Sequence, residues 1–384
     1  MPREIESRWE DGLRSLRRDE FNSLEALVEE VFRPGLVAEY PQFYTPDNVH
    51  GMRVVVDQGK VVSHVGCLTR DVSILGCTAR AACLGGVATH EAYRGKGYAT
   101  SLFADTIRVC REDRVDFILV SGYRKMYHRF GCRYVGKDWN YAIKTEPAGV
   151  FGTGKIELHP ARLEDLCELG KIYRYETVRW IRPLSDLEAF VKGFLLKNRV
   201  VKVHLIRGSG GIRGYVVLME PEHQGDRIAH VLEAAGERGV LISALGKLIK
   251  EYNLKQVNIH VLGHDSQFQY LLNHHGAKRN PVNASGTVKL VNFVQFMERM
   301  RPHFVELVGE NSAKGLVFQE RGDKLVFSYS GDEVIAENQG EAVEIIFGTR
   351  ERKEEQILAR GGRAAEILRE IFPIPALYYG VNYL

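Results

Sequence analysis

The chain has 384 residues, enough for two to four domains with separate apolar cores at about 100 to 200 residues each. Hydrophobic residues make up 45% and charged residues 26%, an ordinary globular balance that argues against long disorder and excludes a collagen or coiled-coil chain. The 52 Lys and Arg nearly match the 49 Asp and Glu; the resulting +3 implies no broad basic surface, so no nucleic-acid partner is expected. The longest uncharged stretch, Ile371 to Leu384, falls short of the roughly 20 residues a spanning helix needs. The opening Met1-Pro2-Arg3-Glu4-Ile5-Glu6 mixes acids and bases with no apolar h-region, which predicts a cytoplasmic product without a membrane span. Cys67, Cys77, Cys83, Cys110, Cys132 and Cys167 form no Cys-x-x-Cys pair, which predicts reduced, mostly buried thiols and no metal.

In chain order, Phe21, Leu24, Leu27, Val28 and Val31-Phe32 recur at three and four residues and predict an amphipathic helix. Val54-Val55-Val56 and Val61-Val62 flank a Gly-containing turn and predict a hairpin, with further strands at Val72 to Leu75 and Ala81 to Thr89. A helix then carries Tyr98, Leu102, Phe103, Ile107 and Cys110 on one face, and Phe117-Ile118-Leu119-Val120 predicts a buried strand before a short helix or turn at Met126 to Gly131. The glycine-rich segment 149–154 predicts a linker.

The pattern then recurs at low fidelity: a helix around Leu163 to Tyr173, a strand at Val201 to Ile206, a hairpin through Gly208 to Gly211, a helix through Val240 to Ile249, a strand at Val257 to Leu262, and Leu272-Asn273-His274-His275-Gly276. Such a distant echo predicts a duplicated domain rather than a solenoid. From about Val291 the pattern changes to a helix (Phe293 to Met300), strands at Gly315 to Gln319 and Lys324 to Ser330, and a helix at Ala364 to Ile371, predicting a smaller α+β unit.

The segment Gly85-Gly86-Val87-Ala88-Thr89-His90-Glu91-Ala92-Tyr93-Arg94-Gly95-Lys96-Gly97-Tyr98-Ala99 is a glycine-punctuated turn entering a helix. Backbone N–H groups and the positive helix end there could hold a pyrophosphate, with Arg94 and Lys96 adding charge; an ordinary helix-entry loop is the alternative. It is neither a P-loop nor a dinucleotide fingerprint. Arg94-Gly95-Lys96-Gly97-Tyr98-Ala99 resembles the Arg/Gln-x-x-Gly-x-Gly/Ala loop of the GNAT N-acetyltransferases, and Tyr127-His128-Arg129-Phe130-Gly131 resembles their downstream Tyr-x-x-x-Gly element. The whole layout is similar to the Eis (enhanced intracellular survival) acetyltransferases. That resemblance implies an α/β (α+β) fold of two GNAT-type mixed-sheet domains in tandem, a catalytic one at 1–150 and a degenerate one at 151–290, followed by a sterol carrier protein-like domain at 291–384.

The resemblance implies acetyl-CoA as acetyl donor, with no metal, held by Val87, Ala88, Thr89, Arg94, Gly95, Lys96, Gly97, Tyr98, Ala99, Thr100, Ser121 and Gly122. It implies Tyr127 as general acid toward the departing thiolate, and the terminal carboxylate of Leu384 as general base. A phenol of pKa about 10 suits the first role, since it stays protonated at neutral pH. His90 and Glu91 are competing bases, and a tyrosine merely packed under the loop is the alternative for Tyr127. The resemblance further implies transfer to aminoglycosides, polyamines or protein lysines, and a homo-oligomer, a hexamer. Glu39, Asp47 and Asp57 are candidates for an acidic acceptor pocket. In the second copy Leu272 stands where Tyr127 stands in the first and cannot protonate a thiolate, so one active site per chain is expected. His264, His274 and His275 lack partners at metal-ligand spacing. A CoA-binding module without turnover, or a carrier of apolar ligands through residues 291–384, is the alternative function.

Overall fold

The computed structural model describes residues 12–122, 124–144, 151, 155–197, 199–222, 225–284, 286–359 and 361–381. They form two large mixed sheets and a third small one, the mixed α/β architecture expected from the sequence.

The first sheet runs β1 (Arg14–Ser15), β2 (Met52–Asp57), β3 (Lys60–Ile74), β4 (Cys77–Thr89), β5 (Phe117–Val120). Only β4 and β5 in this run are parallel. Every residue of β5 is buried because both faces are covered. Phe117 and Leu119 face the layer holding helix α1 (Phe21–Val31), whereas Ile118 and Val120 face helix α3 (Tyr98–Glu112). The short α2 (Leu36–Glu39) follows α1, and α4 (Lys125–Arg129) follows β5.

The second sheet is built on β6 (Asp138–Lys144), β7 (Glu157–Pro160), β9 (Phe194–Leu196), β10 (Arg199–Gly208), β11 (Gly211–Met219), β12 (Ile228–Gly236), β13 (Gln256–Val261) and β14 (Lys278–Val282). The two sheets exchange strands. The second recruits β6 from just after the first unit's α4, while β8 (Val178–Trp180) pairs with β3 and β15 (Thr287–Leu290) pairs with β5. These pairings give the exposed edges of β3 and β5 a partner. Helices α5 (Leu166–Tyr173), α6 (Leu184–Val191), α7 (Arg238–Glu251) and α8 (Ser266–His274) pack on the second sheet.

The C-terminal unit is a meander of β16 (Val317–Arg321), β17 (Lys324–Tyr329) and β18 (Asp332–Ala336) with helices α9 (Phe293–Val308), α10 (Glu310–Gly315), α11 (Gln339–Phe347), α12 (Glu354–Leu358) and α13 (Gly362–Ile371). Helix α9 continues past the predicted end at Met300 and through Pro302, because the next turn buries Phe304, outweighing one lost backbone hydrogen bond. Phe293, Phe296, Phe304, Phe318, Phe327, Phe347 and Phe372 interlock inside this unit with ring centroids 5.0–6.1 Å apart, so the chain's own side chains fill its interior.

Candidate active site

Strand β4 follows β5 only from Ala81 to Leu84, and β5 stops at Val120, while β4 runs on to Thr89. Past Leu84 the ladder between the two parallel strands therefore ends, while β4 continues for five residues. The cause is local: the β3–β4 register breaks between His64 and Gly66, so that Val65 faces both Gly86 and Val87, a bulge that bends β4. Gly86 has a left-handed φ of +60°, and a Cβ there would collide with the Tyr44 hydroxyl. The predicted Val87, Ala88 and Thr89 form the splayed end, with Ser63 Oγ donating to Ala88 O at 3.1 Å and lying 2.8 Å from Thr89 Oγ1.

From Thr89 the chain passes through a short turn whose first residue, His90, uses Nδ1 to accept the Ala92 N–H at 3.2 Å. That engages one imidazole lone pair; the neutral ring then carries its proton on Nε2, which faces Glu30 at 3.5 Å, so His90 has no free lone pair for an amine proton. Glu91 lies exposed beside it.

The loop Arg94 to Gly97 is exposed. Gly95 and Gly97 have φ of +79° and +86°, and no atom lies within 4 Å of where their Cβ atoms would be. Backbone conformation, rather than space, thus selects glycine here. Gly97 is the N-cap of α3, whose first turn contains no acidic residue and no side-chain cap. The helix begins with its N–H groups and positive dipole end turned to an exposed loop carrying Arg94 and Lys96, an arrangement suited to a diphosphate. Arg94 Nε donates to Thr89 O at 3.3 Å, tying the loop to the splayed strand, and Lys96 lies 4.6 Å from the Tyr93 ring centroid. Tyr98 is buried, Ala99 half-buried, and exposed Thr100 donates to Met126 Sδ at 3.4 Å.

Ser121 and Gly122 lead from β5 toward α4, and Tyr127 lies on α4, buried with its ring 5.3 Å from that of Phe103. A Cβ on Gly122 would stand 2.5 Å from Tyr127 Cε2, so this glycine leaves room for the phenol ring, a role the sequence does not signal. Burial raises the Tyr127 phenol above its usual pKa, with Arg124 opposing, and among the described residues its hydroxyl has no hydrogen-bond partner. It is therefore protonated at neutral pH and free to donate. Gly131 closes the turn with φ +83°, and Cys132 N donates back to Tyr127 O at 3.1 Å.

Leu384 lies outside the described residues, but the tail is ordered in burial through Val381. Ile374, Ala376, Leu377, Tyr379 and Val381 are all buried. Tyr378 stacks on His260 with centroids 4.0 Å apart, its carbonyl accepts Trp180 Nε1–H at 3.1 Å, and Gln42 Nε2 donates to Val381 O at 3.4 Å. Gln42 is two residues from Tyr44, which abuts the Gly86 bulge. The tail thus arrives on the α2 side of the splayed strand.

Of the acceptor candidates, Glu39 is buried and occupied by Arg33 and the Lys197 N–H (3.0 Å), whereas Asp57 accepts Tyr93 Oη–H at 2.5 Å. Exposed Asp47 pairs with Arg18 at 3.1 Å. These three do not gather into one pocket wall. His264 Nε2 lies 3.2 Å from Thr177 Oγ1, and among the described residues no three His, Cys, Asp or Glu side chains cluster to hold a metal ion.

The second sheet repeats the geometry with different chemistry. Strand β12 pairs in parallel with β13 only from Ile228 to Val231, then bulges at Leu232 and diverges. The turn after α8 copies that after α4: Ala277 N donates to Leu272 O at 3.0 Å, as Cys132 N does to Tyr127 O. Yet Leu272 is buried in the apolar core. At the N-terminus of α7, Glu237 is the N-cap, Gly236 N donates to Glu176 at 3.0 Å, and Arg238 is held between Glu176 (2.7 Å) and Asp265 (2.8 Å). Glu237 in turn pairs with Arg213 at 2.5 Å, so the arginines at this helix end are already engaged by carboxylates.

Residues 12–135 match the acetyltransferase (GNAT) domain family. No curated protein sequence matches the chain. Among solved structures, it is similar to a GCN5-related N-acetyltransferase from Anabaena variabilis ATCC 29413 (TM-score 0.69, 14% identity, covering 95% of this chain and 99% of that one) and to one from Kribbella flavida (TM-score 0.66, 14% identity, 95% and 98%). It is also similar to Eis1 from Mycobacterium abscessus (TM-score 0.64, 12% identity, 96% and 99%). The glycine loop, the strand end beside it and Tyr127 all lie within the segment that matches the acetyltransferase (GNAT) domain family.

Proposed function

We propose that the chain is an Eis-like enzyme that transfers acetyl from acetyl-CoA directly to primary amines of the aminoglycoside, polyamine or lysine type, using one active site in a catalytic domain at 1–150. The observation that carries this reading is the end of the β4–β5 ladder beside the α3 glycine loop, with the protonated Tyr127 hydroxyl, unpartnered among the described residues, on the next element. In this reading the pantetheine lies along Val87, Ala88 and Thr89 with Ser121 and Gly122 as the opposite wall, and the diphosphate meets Arg94 to Thr100. The amine nitrogen attacks the thioester carbon while the Val87 N–H receives the developing oxyanion. The carbon–sulfur bond then breaks, giving the amide and CoA thiolate, to which Tyr127 donates its proton.

The proton lost by the amine goes to the Leu384 carboxylate, directly or through a water. Three residues separate Val381 from that carboxylate, a reach of about 10 Å when extended, which fits a tail arriving beside Tyr44. His90 fits the role less well, since its Nδ1 is committed to Ala92. Residues 151–290 serve as a degenerate GNAT-like scaffold and 291–384 as a sterol carrier protein-like unit that delivers the tail. The enzyme acts as a homohexamer, which light scattering tests. The catalytic reading is tested by CoA-thiol release with a panel of aminoglycosides, polyamines and lysine peptides. Amine-dependent release that collapses when residues are appended after Leu384, with the fold intact, is expected; amine-dependent release unaffected by the extension would overturn the carboxylate's role, and acetyl-CoA binding with no release across the panel would overturn the acceptor class.

A further inference from the structure

We propose that His64 is a positioning residue for acetyl transfer: by holding the Gly86 carbonyl it fixes the peptide whose other end is the Val87 N–H. This rests on the reading that the Val87 N–H receives the thioester oxygen.

At the β4 bulge one residue of β3 faces two of β4, so the regular ladder cannot hold the Gly86–Val87 peptide. The His64 side chain takes over, with Nδ1 2.8 Å from Gly86 O. A carbonyl only accepts, so Nδ1 carries the proton, and Nε2, 3.1 Å from Met52 Sδ, carries the lone pair. Full burial holds the ring neutral by lowering its pKa to about 4, so this tautomer is fixed across the neutral range.

In a trans peptide C=O and N–H point in opposite directions. With the Gly86 carbonyl drawn to His64, the Val87 N–H points to the far side of the strand. A donor on the carbonyl also polarises the peptide and strengthens its N–H as a hydrogen-bond donor. The site is shaped around the imidazole: a Cβ at Gly66 would stand 3.0 Å from His64 Cε1, one at Gly86 3.2 Å from it, and Tyr44 caps the ring at a centroid distance of 6.3 Å. Buried under the strand, His64 reaches neither substrate and acts only through the peptide.

The test uses acetyl-CoA labelled with ¹³C at the thioester carbonyl, its stretch read by isotope-edited infrared difference spectroscopy in the wild type and in His64→Asn, His64→Gln and His64→Leu, alongside kcat and KM. The Asn amide nitrogen can replace Nδ1, whereas that of Gln lies nearer the Nε2 position. The wild-type complex should show the stretch at lower frequency than free acetyl-CoA. His64→Asn should keep that shift and a kcat within about threefold, while Gln and Leu lose it, with kcat down about 10- to 100-fold and KM for acetyl-CoA within about twofold. Should the Leu variant fail to fold, the Asn and Gln variants carry the comparison. A shift preserved in folded Gln or Leu variants overturns the positioning role and leaves His64 as packing. No shift in the wild type overturns instead the Val87 reading beneath it.

Discussion

A methyl group at position 122 would test the Tyr127 role through geometry alone. The Cβ would stand 2.5 Å from Tyr127 Cε2 and 3.1 Å from its Cζ and Oη, whereas carbon atoms pack at about 3.5 Å or more. Gly122 is not among the residues with positive φ, so the backbone accepts alanine and the strain falls on the ring, which must retreat by about 1 Å. A displacement of that size at a reacting group costs on the order of 100-fold in rate, about 2.7 kcal/mol of transition-state stabilisation. Packing strain should cost about 1–3 kcal/mol of stability, measurable by urea unfolding. In the CoA-release assay, Gly122→Ala should lower kcat about 100-fold with acetyl-CoA affinity nearly unchanged, and Tyr127→Phe should do the same or more. In the Tyr127→Phe background the alanine should add little, because the hydroxyl it displaces is already gone. A Gly122→Ala enzyme within threefold of wild type, or two losses that multiply in the double variant, would refute the reasoning.

Tyr378→Ala removes the ring stacked on His260 and should loosen the tail, lowering kcat more than tenfold while acetyl-CoA binding persists, with faster protease cleavage in 372–381 as the second readout. The buried His64 gives an acid-side stability loss. Its folded pKa of about 4 lies below the unfolded 6.5, so the unfolded chain binds more protons between these values and its contribution, complete above pH 6.5, falls away as pH drops toward 4; from pH 7.5 to 5 the loss is about 2 kcal/mol. Unfolding free energies from urea titrations of wild type and His64→Asn should converge by that amount on acidification, and parallel curves would count against it. Arg182 is fully buried, bidentate to Glu233 at 2.5 and 2.7 Å, and packed over Tyr173 at 4.1 Å. Arg182→Met leaves that buried carboxylate without its cation, though still accepting from Tyr215 Oη–H at 2.7 Å, and should cost about 3 kcal/mol, much of it recovered when Glu233→Leu is added; equal losses in single and double variants would contradict this account.

Much of the first site is legible in the sequence because its signals are local. Phe117 to Val120 reads as a strand from four consecutive apolar residues, and the Arg94 to Gly97 loop reads from glycines whose left-handed φ the structure needs. What escapes is whatever depends on non-local pairing. His64 meets Gly86, 22 residues away, only through a register break, and Gly122 matters only because the Tyr127 ring turns back over it. Likewise no local pattern at Asp138 to Lys144 or Thr287 to Leu290 says that these strands finish each other's sheets. The third unit's β18 and α11 are not legible for a different reason: Asp332 to Ala336 and Gln339 to Phe347 are short segments whose identity comes from packing on β17 and β15 rather than from their own periodicity.

The second sheet resembles the first in its strand pairing but not in the side chains beside it. It keeps the parted strands and the helix-closing turn, features set by backbone pairing, but exchanges the groups that would handle a charged donor. At the head of α7 Glu176 and Asp265 hold Arg238 and Glu237 pairs with Arg213, so both arginines there are already engaged, and Leu272 has no proton to give. The remaining gap beside Glu233, Ala234, Ile259 and His260, about 90 Å³, is walled by Leu377, Tyr378 and Gly380 of the chain's own tail. The Tyr378 phenol is raised to about 12 there by burial, with Asp138 and Glu233 adding to the rise, so it stays neutral against those acids. His260 in turn is fixed by Asp138 at 2.9 Å, on the strand β6 that the first unit's chain contributes to the second sheet. Strand exchange and tail docking are thus one arrangement: the strand leaving the first unit carries the acid that orients the ring on which the tail rests, before the tail turns back toward Gln42.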